Sequence, residues 1–449
     1  KAVVSTPYWY AREILADDRG VLVPSRDPPA IARAVVELLS DDARRLAMGE
    51  RAAAFARDMT WPNVARRYGE SFERARTDHA ARAREAFQAK TLARRPRELP
   101  EIDLQHVRLL SDSTGILQHA AFDVPRYEDG YCVDDNARAL LLTTLIEEAG
   151  AEGRKSVREL SSRYLAFVSH ALNAATGRFR NFMSYSRRWL EECGSEDSHG
   201  RALWALGTVV GRSGDQGRQG LARRLFDAAL PASTRLTSPR AWAYALLGID
   251  EYLRAFPGER GVEDVREDLA RRLLELYRRS SREDWLWFED RLAYANARMP
   301  QALIVSGSRM HDEGMTSAGL ASLAWLDELQ RGPHGEFAPV GSTGYSRGEP
   351  KVSFDQQPVE ACAMVSACLE ARRVTGSARW ATSALSAFNW FLGQNHLQQS
   401  MVDTTTGGCR DGLHEERVND NQGAESTLSF LLALLEMRAA DANVDGRLG

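Results

Sequence analysis

Two kinds of helical segment alternate along most of this chain, and that alternation limits the fold more than any other feature. NARALLLTTLIEEA, GRALWALGTVVG, AWAYALLGIDEYL, PQALIVSG, VEACAMVSACLEA and ESTLSFLLALLEM are small, apolar and Ala-rich. Such segments suit an inner layer touched on all sides. Between them run GRKSVRELSSRYLAFVSHAL, QGRQGLARRLFDAAL, GVEDVREDLARRLLELYRRS and GSARWATSALSAFNWFLGQN, apolar along one stripe and charged elsewhere, as an outer layer requires. GMTSAGLASLAWLDEL is intermediate and fits an outer position. The inner segments recur about every 40–65 residues, an internal repeat of helix pairs. Six pairs joined by loops of unequal length predict a closed (α/α)6 toroid. The competing architecture, an open superhelix of helix pairs, usually has tighter periods. No convincing strand is read beyond residue 101.

The beginning of the chain has a different texture. KAVVST and GVLVP are short β-branched runs bounded by Gly and Pro, the marks of buried strands. SRDPPAIARAVVELLSD reads as a helix with Asp27 or Ser25 as cap and Pro28 and Pro29 in its first turn. DDARRLAMGERAAAFARDM and WPNVARRYGESFERAR read as two more. The expected fold class is therefore mainly α: an (α/α)6 toroid at 101–449 preceded by a partial α/β, Rossmann-like segment at 1–76, with a basic linker at 77–100.

Composition closes off several function classes. With 43% hydrophobic and 27% charged residues, this is a globular composition, and a net charge of −4 gives no general affinity for nucleic acid. No apolar run reaches the roughly 18 residues of a spanning helix, and KAVVSTPYWYAREIL has no apolar core of a signal peptide. Five cysteines without a CxxC pair suit a reducing compartment, so a cytoplasmic location is expected. Neither His311–Asp312–Glu313 nor His414–Glu415–Glu416 has metal-ligand spacing. Both read as rim residues, and neither a metal nor a cofactor is expected in the toroid.

The chemistry lies at the starts of the inner segments. One Asp suffices to cap a helix, yet GYCVDDNARALLLTTL sets Asp134 and Asp135 together, and SEDSHGRALWALG follows with Glu196, Asp197 and His199. In a closed toroid the inner helices run one way and their starts meet at one mouth. Arg138, Arg240, Trp242, Trp287, Tyr294, Asn296, Arg298, Asp355, Gln356, Gln357, Gln422 and Glu425 join this set as expected substrate contacts. Carboxylates, amides, Arg and flat aromatics are what a sugar ring requires for its hydroxyls and its C–H faces. Paired carboxylates are also the minimum apparatus for glycosidic cleavage. Asp135 is the expected base or nucleophile, with Asp197 in reserve. Glu289 is the expected acid, kept protonated by burial against Trp285, Trp287 and Phe288.

Two resemblances follow from these residues. KAVVSTPYWYAREILADDRGVLVPSRDPPAIARAVVELLSDDARRLAMGERAAAFARDMTWPNVARRYGESF resembles the C-terminal end of a family 4 retaining glycosyltransferase of the GT-B fold, down to Trp61 and Tyr68. The resemblance implies a nucleotide-sugar donor for the parent transferase. It also places that family's catalytic glutamate pair, and a Rossmann domain packed on residues 1–76, upstream of Lys1. WFEDRLAYANARMPQALI and FLGQN resemble (α/α)6 carbohydrate-active domains of the family 9 glycosidase and N-acylglucosamine 2-epimerase kinds. Together they imply a transferase tail joined to a domain that cleaves or remodels a glycan. The rival readings are a non-catalytic glycan-binding toroid and an epimerase-like enzyme, which needs His in the mouth; His199 is the one strong candidate.

Overall fold

The computed structural model describes residues 1–90, 99–150 and 154–445. The chain divides into two compact units, Lys1–Ala89 and Lys90–Gly449. The second unit begins within the expected linker, and residues 91–98 lie outside the described residues.

In the first unit, β1 (Val4–Ser5) and β2 (Val21–Leu22) pair in parallel, Val4 opposite Val21, with α1 (Trp9–Ile14) between them. Three helices follow: α2 (Pro28–Ser40), α3 (Asp42–Ala56) and α4 (Trp61–Lys90). Asp27 caps α2 by accepting the Ala30 N–H at 2.9 Å. The core is small: Val23, Ala30 and Ala34, with Val4 and Val21 against them. Trp9, Leu39, Trp61 and Phe72 are exposed, Trp61 at 86%. A strand pair and four helices present too little surface to cover these side chains.

In the second unit a short helix α5 (Gln105–Leu109) comes first. Inner and outer helices then alternate: α6 (Val133–Ala149), α7 (Arg154–Ala171), α8 (Glu196–Arg212), α9 (Gln216–Ser233), α10 (Pro239–Ala255) and α11 (Arg260–Ser280). The alternation continues with α12 (Arg298–Met310), α13 (Glu313–Leu329), α14 (Pro358–Thr375), α15 (Ala378–Phe391) and α16 (Ala424–Asp445). Inner helix α6 buries every residue from Asp135 to Thr144. Outer helix α11 instead buries one stripe, Val262, Leu269, Leu273 and Tyr277, each large apolar side chain worth about 1.5–3 kcal/mol.

Each inner helix packs on the next, from α6 through α8, α10, α12 and α14 to α16, and α16 packs back on α6. The ring is closed, which removes the open superhelix. Its helices are parallel, because like ends meet. At the C-terminal end Arg212 of α8 bonds Glu251 of α10 at 2.6 Å and Glu148 of α6 at 2.8 Å. At the N-terminal end Arg201 of α8 reaches Asp134 of α6 at 3.1 Å. Between α8 and α10 the backbones touch. A Cβ on Gly207 would stand 2.0 Å from the Gly248 carbonyl oxygen, and one on Gly248 would stand 2.4 Å from that of Leu203.

Strands do occur here, contrary to the sequence reading. Six antiparallel pairs of two-residue strands lie in loops among the described residues of this unit. One, Gly412–Leu413 with Val418–Asn419, leads into α16.

Candidate functional site

The acidic residues at the inner-helix starts are not the caps. Cys132 Sγ faces the Asp135 N–H at 3.4 Å, Ser195 Oγ accepts from Ser198 N at 3.0 Å, and Ser238 Oγ accepts from Ala241 N at 3.3 Å. Capping by these smaller groups leaves the carboxylates for other partners. Arg138, one turn into α6, donates to Asp135 at 2.8 Å and also to Glu425 of α16. Arg240 of α10 donates to Glu289 at 2.7 Å, to the Tyr294 carbonyl at 2.8 Å and to Asn296 at 3.4 Å. Tyr294 O–H donates to Asp197 at 2.7 Å. The mouth is thus a ring of arginines and carboxylates contributed by successive helices.

These carboxylates differ in character. Asp135 is buried, and that burial pushes its carboxyl up to about 6 against the pull of Arg138, with Glu425 adding to the rise. Glu425 is also pushed up by burial, but Arg138, Arg201 and His119 outweigh it and hold it below the usual range. Its side chain stays 44% accessible. Asp411, in the hairpin before α16, is raised by burial, against the Gly423 N–H at 2.7 Å, and further by Glu425. Glu425 and Asp411 are therefore neighbouring carboxyls held apart in acidity.

No protein-family model matches the chain, and no curated protein does. Solved structures do. Cellobiose 2-epimerase from Spirochaeta thermophila aligns with TM-score 0.58 at 15% identity, covering 81% of this chain and 98% of that one. A D-mannose isomerase aligns with TM-score 0.56 at 12% identity, covering 75% and 95%. A family 76 glycoside hydrolase from a bovine Bacteroides thetaiotaomicron strain aligns with TM-score 0.55 at 8% identity, covering 75% and 76%. The fold is an (α/α)6 toroid. At these identities the likeness extends to the fold alone.

The toroid brings Asp134, Asp135, Arg138, Asp197, Arg240, Glu289, Tyr294, Asn296 and Glu425 together through the bonds above. Arg298 joins them over the Trp204 ring at 4.7 Å. Other expected contacts go elsewhere. His199 is fully buried beside Phe179 and the backbone of Ala229 on outer helix α9, where burial and Arg178 push it down to about 3. Trp287 is fully buried against Phe288 and Trp325 of α13, a core residue and not a sugar platform. Trp242 turns back to the Leu236 carbonyl at 2.8 Å. Glu196 clamps the Thr237 and Ser238 N–H groups at 2.7 and 2.6 Å. Gln356 accepts from Trp390 at 2.8 Å, Gln422 ties Thr406 at 2.7 Å to Asp403 at 3.2 Å, and half-buried Gln357 precedes α14 without capping it. Asp355 pairs with His414 Nδ1.

The expected surroundings of Glu289 are also corrected. Trp285 donates to its backbone carbonyl at 2.7 Å and packs edge-to-face with Trp325, while the side-chain carboxylate accepts from Arg240. Glu360 holds the strained turn beside it. Ala295 has φ +46, and Glu360 accepts its N–H together with Asn296 N at 3.3 Å and Asn296 Nδ2 at 3.0 Å. Asp411, His119 and Trp204 are the members that sequence reasoning missed, and His414, expected only at the rim, is held by Asp355. Among the described residues no group of three or more His, Cys, Asp or Glu could hold a metal. No described helix is long and apolar enough to cross a membrane.

Proposed function

We propose that the toroid is a carbohydrate-active enzyme that cleaves a glycan by acid–base chemistry at the inner-helix mouth. The observation that carries this reading is the Glu425–Asp411 pair: Glu425 is accessible and held by Arg138, Asp411 is tied to the Gly423 N–H, and their acidities are pushed in opposite directions, the division of labour glycoside hydrolysis needs. In this reading Asp411 gives its proton to the leaving oxygen as the glycosidic C–O bond breaks. Glu425 acts as base or nucleophile, and water supplies the group that ends on the anomeric carbon. Asp135 sits behind Arg138 and positions Glu425. The known activities of the fold neighbours, sugar epimerisation, isomerisation and glycoside hydrolysis by their names, agree with a sugar substrate.

A second reading, epimerisation of a free sugar, rests on imidazoles. His119 acts on both Glu425 and Asp411, and His414 is oriented by Asp355, the arrangement of a general base. One experiment separates the readings. Wild type, Glu425→Gln and Asp411→Asn are incubated with an oligosaccharide panel and with reducing monosaccharides, and products are followed by NMR. Oligosaccharide cleavage lost in both variants supports the hydrolase. Epimerised monosaccharide without cleavage replaces it with the second reading. Unchanged turnover in both variants removes the pair from the mechanism.

For the first unit, we propose the tail of a GT-B glycosyltransferase using a nucleotide-sugar donor. The parallel β1–β2 pair and the exposed Trp9, Leu39, Trp61 and Phe72 support a sheet and an apolar face that continue onto another body. Reading the gene upstream of Lys1 tests this. A Rossmann domain with two glutamates separated by seven residues is the expected finding, and an unrelated or absent coding sequence overturns it.

A further inference from the structure

Four arginines stand at the N-terminal ends of inner helices, and three are matched by carboxylates: Arg138 by Asp135 and Glu425, Arg201 by Asp134, Arg240 by Glu289. Arg298, at the first position of α12, is not. It is 5% exposed, and among the described residues no carboxylate lies within ion-pair distance of it. One of its N–H groups goes to Gln301 Oε1 at 2.7 Å and one to the weak acceptor Cys362 Sγ at 3.5 Å. The carboxyl of Glu436 acts on it only from beyond ion-pair distance, and accepts from the Ser366 hydroxyl at 2.7 Å. A buried guanidinium whose direct partners are an amide oxygen and a weak sulfur acceptor keeps donor capacity for an anion supplied from outside.

The surroundings shape what that charge can be. Arg298 lies over the ring of the half-buried Trp204 at 4.7 Å, and a guanidinium is the side chain suited to grip a planar carboxylate with two parallel bonds. Tyr244 stacks on the other ring of this group, with Trp204 at 6.0 Å, and its fully buried hydroxyl has no hydrogen-bond partner. Arg201 lies over the Tyr244 ring at 4.2 Å. Arg138, which holds Glu425, acts on Tyr244 together with Arg298, so the unmatched cation and the accessible carboxylate share one interior.

We propose that Arg298 and the Tyr244 hydroxyl form a subsite for the carboxylate of an acidic sugar, so that the substrate carries a uronic-acid residue. The inference rests on the reading of the mouth as a glycan site and names its substrate class. The test is calorimetric titration of the full chain with D-glucuronate, D-glucose and D-glucose 6-phosphate, for wild type, Arg298→Gln, Arg298→Lys and Glu425→Gln. Wild type is expected to bind glucuronate at least about tenfold more tightly than glucose, and more tightly than the phosphate. Arg298→Gln is expected to erase that preference. Arg298→Lys keeps the charge without the planar fork and is expected to retain part of the preference, which keeps the test open should the Gln variant not fold. Glu425→Gln is expected to keep the preference although turnover is lost. Equal or absent binding of glucuronate in wild type, or a preference that survives in Arg298→Gln, overturns the proposal. Tighter binding of the phosphate overturns the carboxylate assignment. Neutral glycans turned over through Glu425 without glucuronate binding would sink this subsite alone. Glucuronate held by Arg298 with no turnover of any glycan would sink the hydrolase alone.

Discussion

Glu425, on the last inner helix, accepts from the guanidinium of Arg138, on the first, across 287 residues of chain. This contact closes the ring at its N-terminal end and joins the fold to the candidate chemistry. Replacing Arg138 by Leu would leave Asp135 buried beside Glu425 with no compensating charge. Breaking a buried pair by removing one partner costs roughly 3–5 kcal/mol. Urea unfolding of Arg138→Leu should show a loss of that order, somewhat reduced because Glu425 can still meet water. A loss below about 1 kcal/mol, the value of a surface pair, would mean the ring closes without this contact.

Two buried groups should give stability opposite pH dependences. Asp135 titrates at about 6 in the fold against 3.8 ordinarily. Its contribution is fully present below the lower value and is lost as pH rises through about 6. At about 1.4 kcal/mol per pH unit, that span amounts to about 3 kcal/mol. Asp135→Asn should therefore gain on wild type by an amount of that order between about pH 4 and about pH 7. His199 titrates at about 3 against 6.5. Its contribution is present above 6.5 and is lost as pH falls toward 3. His199→Gln should accordingly lose less stability than wild type on acidification below 6.5, and should keep glycan binding. Denaturation midpoints across this range check both; parallel curves for variant and wild type would contradict the assigned environments.

The α8–α10 seam predicts a fold defect at a residue with no side chain. A methyl on Gly207 would lie 2.0 Å from the Gly248 carbonyl oxygen, so the two helices must separate. Overpacking of this kind typically costs about 1–3 kcal/mol. Gly207→Ala should lower the melting temperature, and Gly220→Ala, on the outer helix with open space around its Cβ, should not. Equal melting of the two variants would show that the seam can relax.

How far the sequence reaches is visible in these same residues. The double ring was legible because each inner helix is apolar on all sides and each outer helix on one stripe, as in α6 and α11. The convergence of helix starts followed from that closure, and with it the grouping of Asp134, Asp135, Arg138, Arg240 and Glu425. Which way a side chain turns was not legible. His199 lies two residues from Asp197 on α8, yet one turns to α9 and the other to Tyr294. Trp287 and Glu289 part in the same way. Asp411 stayed hidden because it sits beside a strand of two residues, too short to show any periodicity.

Glu289 and Glu425 offer the sharpest discrimination between the sequence-based choice of catalytic acid and the geometry. Glu289 accepts from Arg240, and Arg240 in turn holds the Tyr294 carbonyl and Asn296. Its physical task is to fix that arginine and, through it, the turn carrying Tyr294, whose hydroxyl holds Asp197. Loss of such a positioning contact shifts KM more than kcat. Loss of a group that exchanges a proton or bonds to the reacting carbon lowers kcat about a hundredfold or more. Glu289→Gln should therefore keep kcat within about tenfold of wild type with a raised KM, whereas Glu425→Gln should lose the larger factor without a matching change in KM. The pH–rate profile adds an independent readout: Glu289→Gln should retain both limbs of a bell-shaped curve, and Asp411→Asn should lose the alkaline limb, where the acid gives up its proton. If Glu289→Gln instead loses as much kcat as Glu425→Gln and sheds the alkaline limb, Glu289 is the acid after all, and its bond to Arg240 must open when substrate arrives.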